Sequence, residues 1–342
     1  MKICTIFTGG TIGSVLDESG YIGPKEGTPY RLLDLYRKIY IGNEEEQYGK
    51  EKIEFETIEP YRILSENLSA EYVLKLINTV YEVLEDNSVE GIIVTHGTDT
   101  LQYGAALLGY VFGYVDIPIV VVSSNYVLDD ERANGLTNFR YAVEFIKGHH
   151  GRGVFVSYCN TNELPTIHRA TRLQPLIPYS DYVASVQDSW YGRYENGHYI
   201  ANSEYHIKEG QEAIHCPVRE LQLNDCSGEI AFIHPYVGMN YPKLTDKTRA
   251  VLHSSYHSGT ICVEGPLKDF MEEAKNKHVP VFLTGLLADA NAYETVKEYG
   301  ELGIQVLYTT SEVAQYCKLW LAISNHMDIK KIMSVSVAED WV

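Results

Sequence analysis

The stretch Lys2-Ile3-Cys4-Thr5-Ile6-Phe7 runs straight into Thr8-Gly9-Gly10-Thr11-Ile12-Gly13, and this junction constrains the fold more than any other feature. A β-branched apolar run reads as a buried strand, and the paired glycines let the chain turn sharply while delivering a threonine hydroxyl at the strand end. About ninety residues on, Gly91-Ile92-Ile93-Val94 enters Thr95-His96-Gly97-Thr98-Asp99-Thr100 in the same way, now with a carboxylate beside the threonine. Two such loops at the carboxyl ends of parallel strands face one crevice.

The rest of the first half alternates in the same style. Ile53 to Ile58, Ile117 to Val122 and Val154 to Ser157 read as further strands, and Ser69 to Leu84, Leu101 to Gly113 and Asn134 to Ile146 carry apolar residues at helical spacing. This is the pattern of a doubly wound α/β domain. From Tyr179 to Asn224 the periodicity gives way to Tyr, Asn, Gly and His, a hairpin followed by a linker. A second α/β series then follows, with strands expected at Ile230 to His234, Thr260 to Val263, Val279 to Leu283 and Ile304 to Leu307, and helices at Pro266 to Lys277 and Ser311 to Ile323. The expected fold class is therefore α/β in two domains. A larger amino-terminal, mostly parallel sheet flanked by helices spans residues 1–205, a linker 206–225, and a smaller α/β domain 226–342.

A formal net charge of −18 argues against binding a phosphate backbone, which needs clustered Lys and Arg, so nucleic acid is excluded as an expected partner. No apolar run approaches the roughly 18 residues of a membrane span, and the chain enters a core strand without a signal-like segment. A cytoplasmic location is expected, with no membrane partner. The six cysteines are scattered without metal-ligand spacing, which implies reduced thiols and no metal site.

A threonine hydroxyl is a weak nucleophile until a neighbouring group takes its proton, and Asp99 is the local candidate for Thr98 and Thr11. The two glycine-threonine segments together closely resemble the signature motifs of the bacterial-type L-asparaginase family, and the likeness extends over nearly the whole chain, nearest the cytoplasmic branch. The resemblance implies that Thr11 attacks a side-chain amide, that Tyr21, in the polar stretch Asp17 to Pro24, assists from a closing lid, and that Thr98 and Asp99 act in the second step. Gly10 and Gly97 would offer backbone N–H groups to the oxyanion. Ser65-Glu66-Asn67 resembles the segment that grips the substrate's α-carboxylate and α-amino group, although the same residues before a helix also serve as ordinary capping. Asp130 to Asn138 matches a further family stretch loosely and is expected to stabilise the rim.

The sequence departs from the family at His168-Arg169-Ala170-Thr171-Arg172, where Arg172 stands in the place of a lysine, with no lysine between Lys147 and Lys208 to replace it. Arginine can clamp Asp99 but cannot act as a base at neutral pH. Thr260 likewise replaces an expected intersubunit Asn. The implied activity is hydrolysis of the side-chain amide of L-asparagine or a related amide to acid and ammonia, without cofactor, in a homodimer or homotetramer. Alternatives are a relative acting on a modified asparagine, a D-amino acid amide or a lactam, and a non-catalytic amino-acid-binding protein or a subunit that needs a partner.

Overall fold

The computed structural model describes residues 1–24, 27–41, 53–207, 221–288 and 292–342. The expected linker 206–225 and Cys216 fall largely outside these. Among the described residues an eight-stranded sheet carries the first domain and a four-stranded sheet the second. This is the two-domain α/β class that the alternation predicted.

In the first sheet β1 (Lys2–Phe7) lies between β4 (Glu54–Ile58) and β5 (Val89–Thr95), followed by β6 (Pro118–Val122) and β7 (Gly153–Tyr158), all parallel. Strands β8 (Thr166–Arg169), β9 (Gly192–Glu195) and β10 (His198–Ala201) extend it as an antiparallel meander. A separate ribbon pairs β2 (Ser14–Leu16) with β3 (Ile22–Pro24). β6 and β7 are buried along their whole length because helices cover both faces, which is why their sequences are continuous apolar runs.

Helices α1 (Thr28–Tyr36), α2 (Ala70–Leu84), α3 (Leu101–Phe112) and α4 (Gly135–Lys147) pack on this sheet. α2 buries Val73, Leu76, Ile77, Val80 and Val83, a single stripe at three- and four-residue spacing. α3 is different: it is buried all round, and so has no polar face. The second sheet orders β11 (Ile230–Ile233), β12 (Ala250–His253), β13 (Val281–Leu286) and β14 (Ile304–Tyr308) in parallel. It is flanked by α5 (Pro266–Asn276), α6 (Val296–Leu302), α7 (Glu312–Ser324) and α8 (Ile329–Ile332). None of the described helices is long and apolar enough to cross a membrane.

One strand expected from the sequence is corrected. Thr260 to Val263 forms no strand; Gly259 turns there at φ 75°, and Ile261 and Val263 are buried in the core while the Ile261 N–H donates to Tyr299 Oη at 3.0 Å instead of to a ladder. The second position in the sheet belongs to Ala250–His253, a four-residue run too short to stand out by periodicity and buried at every position.

α7 joins the domains. Val313, Ala314, Cys317 and Leu321 enter the core around α3, while Leu319 and Tyr316 pack against the second sheet. From the same helix Lys318, with no exposed surface, reaches Asp340, equally buried, at 2.9 Å. The Asp340 carboxylate also accepts from Tyr110 Oη, Gln315 Nε2, Ser336 Oγ and the Val337 N–H, so both charges are desolvated within a saturated set of donors. Breaking one partner of such a pair leaves the other charge stranded. Asp340→Asn is therefore expected to lower the unfolding free energy by about 3–5 kcal/mol, read from urea denaturation, whereas a loss below about 1 kcal/mol, the value of an exposed pair, would show that the tail is not anchored by it.

Candidate active site

The site is built where β1 and β5 end. Phe7 pairs with Thr95, so the two following turns leave the sheet side by side. Thr8 Oγ1 donates to the Thr95 carbonyl at 2.6 Å, and the Thr8 N–H donates to Thr95 Oγ1 at 3.3 Å. On the other flank, Gly10 N–H donates to the Ile63 carbonyl at 2.9 Å and Ile63 N–H to the Thr8 carbonyl at 3.1 Å, tying in the segment that leads to Ser65; the expectation that Gly10 offers its N–H to an oxyanion is corrected, since a backbone carbonyl holds it.

Two glycines make the convergence possible. Gly10 has φ 73°, and a Cβ there would lie 2.4 Å from the Gly97 Cα; a Cβ on Gly97 would lie 2.4 Å from Ser65 Oγ. The three segments therefore touch backbone to backbone or backbone to side chain. Thr100 Oγ1 closes the set by donating to the Ser65 carbonyl at 3.0 Å. Beneath it His96 is buried, its Nδ1 2.9 Å from the Gly97 carbonyl, and burial pulls its imidazole below the ordinary histidine range.

Each segment also begins a helical turn. Thr11–Gly13 is a 3₁₀ turn, Ser65–Asn67 is another just ahead of α2, and Thr98 to Thr100 lead into α3. The free N–H groups and the dipole at such starts favour an anion or a developing oxyanion. Thr11 and Thr98 are half-buried, Ser65 is buried, and Asp99 and Glu66 are exposed. Tyr21 stands at the tip of the β2–β3 ribbon, 75% exposed, with its N–H donated to Asp17 Oδ1 at 2.9 Å. The loop thus takes its shape from its own aspartate. Farther along the sheet, Asn134 Oδ1 accepts from the Asn125 N–H and Asn125 Oδ1 from the Asn134 N–H, which ties the Asp130 to Asn138 stretch to the turn after β6.

The structure thus gathers Gly10 and Thr11, Ser65 and Glu66, and Gly97, Thr98 and Asp99 at one edge, with Tyr21 on the adjoining ribbon. It does not bring Arg172 there, and the expected pairing with Asp99 is corrected. β8 runs back beside β7 with Arg169 opposite Phe155, so the chain has returned toward the opposite edge of the sheet before Arg172 is reached. Gly109, against which Thr171 and Ala170 pack, lies roughly 12 Å along α3 from its first residue. Arg172 is wholly buried, donating through Nε to the Glu339 carbonyl at 2.6 Å and through Nη2 to the His206 and Trp341 carbonyls, both at 2.9 Å. Its guanidinium also lies over the Tyr205 ring, 4.2 Å from the centroid. Among the described residues, no Lys, Arg or His forms a salt bridge to Asp99.

Sequence reasoning missed the residues that aim the loops: Thr8, Ile63, Thr95, His96 and Thr100. The threonine ahead of each glycine turn was the available signal. Among the described residues, no group of three or more His, Cys, Asp or Glu is arranged to hold a metal ion.

Comparison with known proteins gives the family and the fold. The family model of the asparaginase amino-terminal domain matches residues 2–192. The D-type subunit of a glutamyl-tRNA(Gln) amidotransferase from Methanosphaera stadtmanae is 27% identical over 260 residues, which is 72% of this chain but only 52% of that protein. An L-asparaginase from Thermococcus kodakarensis is 24% identical over 356 residues, covering 99% of this chain and 98% of the relative. Among solved structures, the thermostable L-asparaginase from Thermococcus kodakarensis superimposes with a TM-score of 0.75 at 20% identity, covering 100% and 99% of the two chains, a likeness of fold.

Because Arg172 serves carbonyls of the C-terminal segment, Arg172→Ala is expected to cost about 3 kcal/mol or more of stability, the scale of two hydrogen bonds from a charged group. Amide hydrolysis by the folded variant should keep the parent's pH profile. A changed profile at unchanged stability would return Arg172 to the site.

Proposed function

We infer from its membership of the asparaginase family, to which this chain belongs, that it is an amidohydrolase cleaving amide C–N bonds, and we propose L-asparagine or a closely related amide as substrate. The observation that supports this reading is the contact of Gly10, Gly97 and Ser65 at the carboxyl edge, each next in sequence to a residue of the proposed site, Thr11, Thr98 and Glu66.

In the proposed reaction the Thr11 hydroxyl adds to the amide carbon, its proton passing to the departing nitrogen, and ammonia leaves an acyl-threonine. Water adds to that ester, Thr98 and Asp99 orienting it, and releases the acid and free Thr11. Backbone N–H groups at the helix starts, and not that of Gly10, which the Ile63 carbonyl takes, stabilise the oxyanion in both steps. They also suit the α-carboxylate of an amino acid, held at Ser65, while the exposed carboxylates of Glu66 and Asp99 suit its ammonium. Tyr21 closes from the ribbon and excludes water.

A second reading draws on the amidotransferase relatives, of which the Methanosphaera protein extends well beyond the aligned region. There the chain would release ammonia efficiently only with a partner. The absence of a cation paired with Asp99 among the described residues favours it, since a partner could bring one.

Ammonia release from a panel of amides tests both readings. Thr11→Ala should lower kcat/KM by roughly 10⁴- to 10⁶-fold, as loss of a nucleophile does, and Asp99→Asn by roughly 10²- to 10⁴-fold. A Thr11→Ala variant as fast as the parent would remove the nucleophile assignment, and a folded parent silent on every amide would favour the partner-dependent reading.

A further inference from the structure

Under the Gly97 turn a buried histidine sets the direction of a peptide group. His96 follows β5 directly, and its own N–H donates to the Val122 carbonyl at the end of β6 at 2.8 Å, so its backbone is tied to the sheet. Its ring is buried, with Nδ1 2.9 Å from the Gly97 carbonyl oxygen. A carbonyl oxygen only accepts, so Nδ1 carries the proton. Burial holds the imidazole below the ordinary histidine range and so keeps it neutral. On the other side of the ring α3 comes so close that a Cβ at Gly104 would lie 2.3 Å from His96 Nε2. The ring is thus held between the turn and the helix.

That hydrogen bond fixes more than the carbonyl. The described residues contain no cis peptide bond, and in a planar trans peptide the C=O and the following N–H point in opposite directions. With the Gly97 oxygen drawn in to His96, the Thr98 N–H points away from the ring. It has no acceptor among the described residues, although the Thr98 carbonyl accepts from the Leu101 N–H at 3.3 Å. A peptide that follows a glycine turns over easily, because no Cβ restricts the bond ahead of it. One buried hydrogen bond therefore decides which of the two groups faces the imidazole and which faces away.

We propose that His96 is a positioning residue for amide cleavage: by holding the Gly97 carbonyl it aims the Thr98 N–H at the carbonyl oxygen of the substrate amide. The role rests on the hydrolysis proposed above. As the bond from Thr11 Oγ to the amide carbon forms, the carbonyl π pair moves onto oxygen, where the Thr98 N–H meets it. The pair returns as the C–N bond breaks and nitrogen leaves as ammonia with the Thr11 proton. His96 touches none of the reacting atoms. Because the oxyanion is absent from bound substrate, losing the aim lowers kcat and leaves KM.

Ammonia release from L-asparagine, or from the best amide of the panel, by the parent, His96→Leu and His96→Asn tests the role. Leucine fills the ring's space without a donor, and kcat should fall roughly 10²- to 10³-fold, as on loss of one oxyanion donor, with KM nearly unchanged. Asparagine carries its Nδ2 as many bonds from the backbone as Nδ1 and should regain roughly tenfold, the scale of one restored hydrogen bond. A histidine that only packs would lower the urea midpoint of both variants and leave kcat of the folded fraction alone. Should His96→Leu fail to fold, Gly104→Ala takes its place, since its methyl displaces the ring from α3 with the histidine still present. A folded variant with the parent's kcat, a loss confined to KM, or no recovery with asparagine overturns the positioning role and leaves the hydrolysis reading standing. A parent that releases ammonia from no amide removes both.

Discussion

The approach of Gly10 to Gly97 is the constraint on which the functional edge depends. β1 and β5 are parallel neighbours, so their following turns must either splay or meet, and side chains at either position would force them apart. With two hydrogens in place of two methyls the turns meet, and Ser65 closes in from the third side. The hydrogen bonds from Thr8 to Thr95 and between Gly10 and Ile63 then hold what the glycines permit.

That geometry also answers an electrostatic difficulty. A chain with a formal net charge of −18 disfavours a carboxylate or a developing oxyanion, and no basic side chain pairs with Asp99 among the described residues. On the proposed reading the attraction for a carboxylate or oxyanion comes instead from backbone: helical turns start at Thr11, Ser65 and after Thr100, beside the contact of Gly10, Gly97 and Ser65. Such dipoles act within a few ångströms, where the reaction occurs, and are little affected by the distant surface charge.

The basic residues that the core does contain are spent on joining the chain's end to its first domain. Arg169 grips Glu339 through two nitrogens at 2.8 and 3.1 Å, Arg172 holds carbonyls of the same tail, and Lys318 meets Asp340. Removing one partner of a buried charge strands the other, so these three cations and the tail specify one another, although Arg172 Nη1 has no hydrogen-bond partner among the described residues. α3 lies under this network through Tyr110 and begins at Thr98 to Thr100, so the tail braces the helix that carries the candidate site at its other end.

The sequence by itself determined the α/β class, most of the first-domain strands and helices, and the meeting of the Gly10 and Gly97 turns at one sheet edge, because apolar periodicity and glycine turns act locally and each strand end needs only its own residues. It showed α7 as a helix but not as the joint between domains, since an apolar stripe does not say which surface it meets. Strand Ala250–His253 escaped because four buried residues carry no period, and Thr260 to Val263 misled because burial without pairing reads the same as burial with it. Only the tertiary structure decided where Arg172 goes. Its type and its motif pointed to Asp99, but the register of β8 against β7 and the carbonyls of a tail more than 160 residues away in sequence set its position, and neither can be read from neighbouring residues.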